Sequence, residues 1–219
     1  MLKKLDKIRK SDNKIDVKNQ IIYTSIIFGV GIILGIFSKW LDNLSIDDSI
    51  WRMSIIGKLD LRNFFSNLSI WLLIALIISI YSKSSLKASL NTFVFFVGVT
   101  VSYHLYTVLF SGFNPKNYMM IWYGLTIVSP LLAFICFYSK SDNKISIIIS
   151  SLILYVMFSM CFNIGMWYFD IKTILDLIVF LISCYVLYVK PKNIVISLFI
   201  GLVLSFLIRI PYYIWKFTI

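Results

Sequence analysis

Seven apolar segments, each close to the length of a membrane crossing, occupy most of the chain after residue 20. A helix needs about 17–25 apolar residues to span the hydrocarbon core. A lipid interior has no water to hydrogen-bond with backbone amide groups, so a spanning segment must satisfy them as a helix or in a closed barrel. The alternation of apolar and polar residues that is typical of barrel strands is absent, so each segment is expected to be a helix. The chain is therefore predicted to be all-α, a polytopic transmembrane helical bundle with spans near 21–37, 64–82, 91–111, 118–138, 145–168, 173–189 and 193–215.

The composition indicates the same environment. Hydrophobic residues make up 59% of the 219 positions and charged residues 14%, whereas soluble domains have about 45–50% and about 25%. We expect a basic leader at 1–20 and a single membrane domain at 21–219, whose longest external connection is 38–63. The net charge of +11 could suggest nucleic acid, but the basic residues flank the apolar segments instead of forming one solvated face. No nucleic-acid partner is predicted.

The distribution of positive charge predicts an orientation. If the N-terminus is cytoplasmic, thirteen Lys and Arg residues fall on the cytoplasmic side and seven outside, with Arg209 inside the last span. Cytoplasmic connections carry the excess of basic residues in membrane proteins. The N-terminus is therefore predicted inside and the C-terminus outside. Richness in Lys, Ile and Asn points to a bacterial cell membrane, where lipid is the surrounding partner.

Three ionisable residues lie inside predicted spans, namely His104, Asp176 and Arg209. Because a charge at the bilayer centre costs roughly 2.5–3.5 kcal/mol, such residues usually face the bundle interior and often mark a site. With alternating helix directions, the rise per residue places all three about 5–10 Å below the outer helix ends. Asn163 in the fifth span and Trp122 at the start of the fourth are predicted at a similar depth.

Two interpretations of these residues are open. In the first, they line a pocket open to the outside for a small anionic or zwitterionic solute. Arg209 would bind the anion, His104 and Asn163 would donate or accept hydrogen bonds, Trp122 would be a stacking wall, and Asp176 would position Arg209. In the second, Asp176 and Arg209 form a structural ion pair, or Arg209 reaches the outer headgroups.

Two further features have alternative interpretations. The connection at 38–63 mixes isoleucines with charged residues, which suits either a lid over a pocket or an amphipathic connector on the headgroups. Gly31 and Gly35 form a small-xxx-small pair that predicts close helix packing, either within this chain or against a partner membrane protein.

Pro130 is expected to bend the fourth span and to leave the Thr126 carbonyl without its helical donor.

Several function classes have no support in the sequence. The chain has one histidine and no glutamate, its three cysteines lie singly in separate spans, and phosphate-binding motifs are absent, so no metal or cofactor is expected. An acid–base pair of His104 and Asp176 is the remaining enzymatic possibility. We expect a small-solute carrier or substrate-binding membrane subunit. The alternative is a non-catalytic assembly, immunity or regulatory factor that binds a protein or lipid.

Overall fold

The computed structural model describes residues 8–11, 17–44, 57, 59–165 and 167–208. Within these ranges the chain is mainly helical, which confirms the predicted class, and a single β-hairpin interrupts the helices. The elements in chain order are α1 (Val17–Asn43), α2 (Leu61–Ser66), α3 (Leu68–Tyr81), α4 (Ser85–Phe110), α5 (Lys116–Phe137), α6 (Lys144–Cys161), β1 (Phe162–Ile164), β2 (Phe169–Ile171), α7 (Ile174–Leu187) and α8 (Pro191–Leu207).

Seven of these helices overlap the seven predicted apolar segments. Among the described residues, α1, α4, α5 and α6 are long and apolar enough to cross a membrane, while α3, α7 and α8 are apolar but shorter. At the usual helical rise the 14 residues of α3 extend about 21 Å. Many outward-facing side chains are large and apolar, including Ile127, Leu131 and Phe199. Such surfaces are suited to membrane insertion and would be unusual on a protein surrounded by water.

The first and fourth helices run parallel and in close contact. Near one end, the Thr24 hydroxyl donates to the side-chain oxygen of Asn91 at 2.8 Å. At the other end, the Asn43 amide donates to the Ser111 hydroxyl at 2.9 Å. A parallel arrangement of α1 and α4 is what an up-and-down bundle requires of the first and third apolar segments.

Glycine allows this close approach of α1 and α4. A Cβ atom built on Gly31 would lie 2.5 Å from the Phe95 carbonyl oxygen, and one on Gly35 would lie 2.4 Å from the Val99 carbonyl oxygen. No real Cβ fits at these distances, so only glycine permits the contact. The Gly31 and Gly35 face is therefore covered by α4 of the same chain, which is the first of the two alternatives that the sequence left open.

The sixth and eighth helices are also parallel. The Ser197 hydroxyl donates to the Ile147 carbonyl at 3.3 Å, and farther along both helices the Tyr155 hydroxyl donates to the Ile208 carbonyl at 3.0 Å. The apolar helices thus alternate in direction along the chain, and α3 lies between two buried clusters. One cluster is formed mainly by α3, α6 and α7 and the other by α1, α3 and α4.

Hydroxyl groups inside the bundle are satisfied locally, which matters where water is absent. Ser129 Oγ donates to the Thr126 carbonyl at 2.8 Å, which is the carbonyl that Pro130 leaves without a helical donor. Among the described residues, every fully buried side-chain nitrogen or oxygen has a hydrogen-bond partner. Several Ser and Thr hydroxyls donate to the carbonyl four residues earlier, namely Ser79, Ser82, Thr107, Thr126, Ser151 and Ser183.

Three predicted boundaries are wrong. The span predicted at 145–168 ends at Cys161, because Phe162–Ile164 pairs with Phe169–Ile171 in an antiparallel hairpin. Phe162 and Phe169 stack at 4.9 Å between ring centres, so the apolar run is satisfied by strand pairing; hydropathy alone does not distinguish the two states. The span predicted at 64–82 is broken at Asn67. The external connection predicted at 38–63 begins with the last turns of α1, which continues to Asn43.

Basic side chains cap three helices at one end of the bundle, which we call the basic end. The Arg9 guanidinium donates to the carbonyls of Phe137 at 2.6 Å and Ile80 at 2.8 Å. Lys140 donates to the Val186 carbonyl at 2.6 Å. Burial lowers the pKa of both Arg9 and Lys140. The C-terminal ends of α3, α5 and α7 therefore lie together, where cations interact favourably with the helix dipoles.

Candidate functional site

A small cavity lies at the end of the bundle opposite the basic end. Its volume is about 20 Å³, which is room for about one water molecule. We call it the aromatic cavity because five of its lining residues carry aromatic rings. It is lined by Ser38 of α1, Phe65 of α2, Trp71 of α3, Val99, Thr100 and Tyr103 of α4, and Tyr118, Met119 and Trp122 of α5.

The break between α2 and α3 shapes one wall of this cavity. Asn67 leaves the helical conformation, with φ −75° and ψ 145°, and this turns α2 away from the axis of α3. The Trp71 indole N–H donates to the Phe65 carbonyl at 2.8 Å across the break. The Trp71 ring is buried and meets the Trp122 ring edge to face at 6.4 Å. Irregular backbone at this depth is tolerated in membrane proteins where it is enclosed by protein or lines a cavity.

A carboxylate at the end of α1 joins the polar side of the cavity. The Tyr103 hydroxyl donates to Asp42 Oδ2 at 2.7 Å, and the Ser66 hydroxyl donates to Asp42 Oδ1 at 3.2 Å. The Tyr118 ring lies 6.1 Å from the Tyr103 ring, measured between ring centres. Asp42 thus connects α1, α2 and α4 beside the cavity.

A lysine one helical turn before Asp42 also turns into the bundle. Lys39 is only 6% exposed, and its ammonium lies 5.5 Å from the centre of the Tyr103 ring and 5.3 Å from that of Phe113. Within the described ranges the single ion pair joins Lys190 to Asp142, so no described carboxylate pairs with Lys39. Its charge is stabilised instead by two aromatic faces.

The structure places two of the predicted site residues at or beside the cavity. Trp122 is half-buried and forms part of its wall. His104 follows Tyr103, but its ring has partners of its own: Nδ1 is 2.6 Å from the Tyr123 hydroxyl and Nε2 is 3.0 Å from Asn114 Oδ1. If the Asn114 oxygen is the accepting atom, Nε2 carries the proton and Nδ1 accepts from Tyr123.

Asp176 lies in a different part of the bundle, at the start of α7. It is fully buried, and its two carboxylate oxygens accept from Ser69 at 2.7 Å and from Thr173 at 2.9 Å. Thr173 in turn accepts from the Asp176 amide at 3.1 Å, as a helix N-cap does. Nearby, Lys172 donates to the Met160 carbonyl at 2.7 Å, and burial lowers the pKa of this lysine.

The two remaining predicted residues are not brought to the cavity by the described structure. Asn163 lies on β1 and is exposed, so its predicted position on the inward face of a helix is wrong. Arg209 lies outside the described residues, and its pairing with Asp176 and its anion-binding role stay predictions. Most of the predicted lid, residues 45–56 and 58, also lies outside them.

Sequence reasoning missed Asp42, Lys39, Trp71 and Phe65 as site residues. A signal was present in the charges at positions 39 and 42, one turn apart at the end of an apolar helix. Its meaning depended on which other helices meet that turn, which a single sequence does not provide. Within the described ranges no three His, Cys, Asp or Glu side chains are close enough to hold a metal ion.

Comparisons with protein-family models, with curated proteins and with solved structures found no match for this chain.

Proposed function

We propose that this chain is a multi-pass membrane protein with seven crossings that binds a small solute from the outer side, as a carrier or as a substrate-binding membrane subunit. The site of binding is the aromatic cavity. The observation that carries the proposal is that two charged side chains, Lys39 and Asp42, both contact Tyr103, which is one of five aromatic residues lining a cavity at one end of an otherwise apolar bundle.

The proposed orientation has support from both ends of the bundle. Consecutive apolar helices run in opposite directions, as seven successive crossings require. Arg9, Lys140 and Lys190 gather at the basic end, and basic residues concentrate on the cytoplasmic side of membrane proteins. The aromatic cavity at the opposite end then faces the outside of a cell membrane, the bacterial plasma membrane in our proposal.

The cost of buried charge supports a binding role at the cavity end. Charged groups in a membrane bundle are expensive and commonly lie on solute pathways. Lys39 stands at a helix end from which it could reach the headgroups, yet it turns inward onto Tyr103. Concave sites lined by aromatic rings with a few polar groups are typical of small-molecule binding.

The small volume of the cavity requires that the protein rearrange before a solute can bind. About 20 Å³ does not hold a metabolite, so a solute enters only when the walls separate. The α2–α3 break is the natural place for this movement, because Phe65 and Trp71 on its two sides contact the cavity while α4 and α1 are fixed together through glycine. Binding is therefore coupled to a rearrangement, as a carrier requires.

The alternative of a partner-binding factor has weaker support. Its main feature in the sequence was the Gly31 and Gly35 face, which α4 covers. The enzymatic alternative needs His104 and Asp176 to act together, but their hydrogen-bond partners lie on different elements.

Thermal unfolding of the detergent-purified protein tests the proposal. A panel of small anionic and zwitterionic metabolites is screened against the wild type, Trp122→Ala and Trp167→Ala; Trp167 is 93% exposed and serves as the matched control. A ligand at a hundredfold excess over its dissociation constant stabilises by about 2.7 kcal/mol. We expect a stabilising compound whose effect persists in Trp167→Ala and is lost in Trp122→Ala. Absence of stabilisation by every compound, in a well-folded protein, would reject a solute-binding function.

A further inference from the structure

The two charges at the cavity suggest a ligand class. Resting on the proposed function, we propose that the aromatic cavity binds a small zwitterion, with Lys39 receiving its anionic group and Asp42, together with the aromatic rings, receiving its cationic group. The juxtaposition that carries this inference is a buried cation and a carboxylate one helical turn apart, both in contact with Tyr103.

Lys39 and Asp42 are close in the chain but are not neutralised by one another. Three residues of helix separate them by about 4.5 Å along the axis, and residues three apart face the same side. Even so, the Lys39 ammonium lies against aromatic rings while the Asp42 carboxylate accepts from hydroxyls. Arg62 donates to the backbone carbonyl of Asp42 at 3.2 Å and not to its carboxylate. Because neither Lys39 nor Asp42 has an ion-pair partner within the described ranges, both keep the capacity to bind an ion of opposite sign.

Tyr103 contacts both charges. The Lys39 ammonium lies 5.5 Å from the centre of its ring, and its hydroxyl donates to Asp42. A ligand that enters beside Tyr103 therefore comes near a positive group and a negative group. A singly charged ligand would be attracted by one group and repelled by the other, whereas a zwitterion satisfies both.

The rest of the wall favours a cation with apolar substituents. Trp71, Trp122 and Tyr118 present ring faces or edges to the cavity. Aromatic faces attract ammonium groups, and tryptophan does so most strongly; groups of such rings recognise quaternary ammonium. A betaine or a cyclic amino acid combines this cation with the carboxylate that Lys39 would bind.

The experiment compares zwitterions with isosteres that lack one charge. Glycine betaine is measured against 3,3-dimethylbutyrate, which keeps the carboxylate and the shape, and against choline, which keeps the quaternary ammonium. L-Proline is measured against cyclopentanecarboxylate and prolinamide in the same way. Isothermal titration calorimetry on the detergent-purified full chain gives the dissociation constants. We expect at least one zwitterion to bind at least tenfold more tightly than both of its singly charged counterparts.

Charge-removing variants assign the two ends of the ligand. Lys39→Gln should remove the preference for the zwitterion over choline or prolinamide, and Asp42→Asn should remove the preference over the carboxylate isostere. Lys39→Arg and Asp42→Glu keep the charges and should retain both preferences. Lys116→Gln, at an exposed position at the start of α5, is the control and should change neither.

The outcomes separate this inference from the proposed function. Binding of an anion or a cation as tight as that of the zwitterions overturns the inference, while a solute-binding function stands. Zwitterion preference that survives both Lys39→Gln and Asp42→Asn also overturns it. No binding of any probe or panel compound to a folded protein rejects both.

Discussion

The Tyr103 hydroxyl donates a 2.7 Å hydrogen bond to the Asp42 carboxylate, and this contact fixes the end of α1 to α4 at the aromatic cavity. The two residues are 61 positions apart in the chain. Farther down the same pair of helices, Gly31 and Gly35 bring the two backbones together, and near the other end the Thr24 hydroxyl donates to Asn91. At the level of Asp42, α2 also contributes a hydroxyl, that of Ser66.

Replacing Tyr103 by phenylalanine tests the value of this hydrogen bond. Tyr103→Phe keeps the ring beneath Lys39 but removes one donor to the carboxylate, so we expect a loss of about 1–3 kcal/mol in unfolding free energy. Tyr106→Phe on the same helix is the control, because no hydrogen bond of its hydroxyl occurs within the described ranges. Thermal unfolding in detergent measures both. Equal stability of the two variants would show that the Asp42 contact contributes nothing.

Glycine packing between α1 and α4 can be tested with a single methyl group. In Gly35→Ala the new Cβ would lie 2.4 Å from the Val99 carbonyl oxygen, so the helices must separate, at a cost of about 1–3 kcal/mol. Gly29→Ala on the same helix has no atom within 4 Å of its new Cβ and should be neutral or stabilising, since alanine is the better helix former. Thermal unfolding in detergent compares the stability of the two variants. A Gly35→Ala variant as stable as the wild type would contradict close packing of α1 against α4.

Removal of the Asp176 carboxylate should destabilise the other half of the bundle. Asp176→Ala leaves the buried Ser69 hydroxyl and the half-buried Thr173 hydroxyl without their acceptor, and an unpaired buried polar group costs about 1–3 kcal/mol. Asp170→Ala, at an exposed position on β2, is the control and should stay within about 0.5 kcal/mol of the wild type. Denaturation measured by circular dichroism compares them. A wild-type midpoint for Asp176→Ala would contradict a structural role for this residue.

Cysteine labelling tests the proposed orientation. Single cysteines at Lys10 and Lys192 mark the basic end, and single cysteines at Lys116 and Asp170 mark the cavity end; all four positions are exposed. In intact cells a membrane-impermeant maleimide should label only the cavity-end positions, and permeabilised cells should show all four. If Lys10→Cys were labelled in intact cells and the cavity-end positions were not, the orientation would be opposite to the one proposed. If positions at both ends were labelled in intact cells, the proposed seven membrane crossings would be contradicted. The background variant lacks the native cysteines Cys136, Cys161 and Cys184.

The helical class and the approximate positions of the apolar helices followed from the sequence, because hydropathy is a local property of each segment. The hairpin after Cys161 did not, since Phe162, Ile164 and Phe169 suit a strand and an apolar helix equally well. Asn163 was therefore assigned to the wrong element. The break between α2 and α3 at Asn67 was not predicted either, because the residues on both sides of it favour a helix.

The candidate site was predictable only in part. Trp122 could be placed at the cavity level, because its position near the start of an apolar segment fixes its depth. The bonds from Tyr103 to Asp42 and from Ser69 to Asp176 join residues 61 and 107 positions apart. Such pairings depend on which helices are neighbours, and one sequence contains no direct information about that.

The most direct test of solute binding at the aromatic cavity is tryptophan fluorescence during titration with glycine betaine or L-proline, whichever stabilises the protein more. Trp71 and Trp122 line the cavity, so a bound ligand must change their surroundings. The account predicts a saturable change in the wild type and in Trp167→Phe that falls by at least half in Trp122→Phe. An undiminished change in Trp122→Phe, or no saturable change in any folded form, would contradict it.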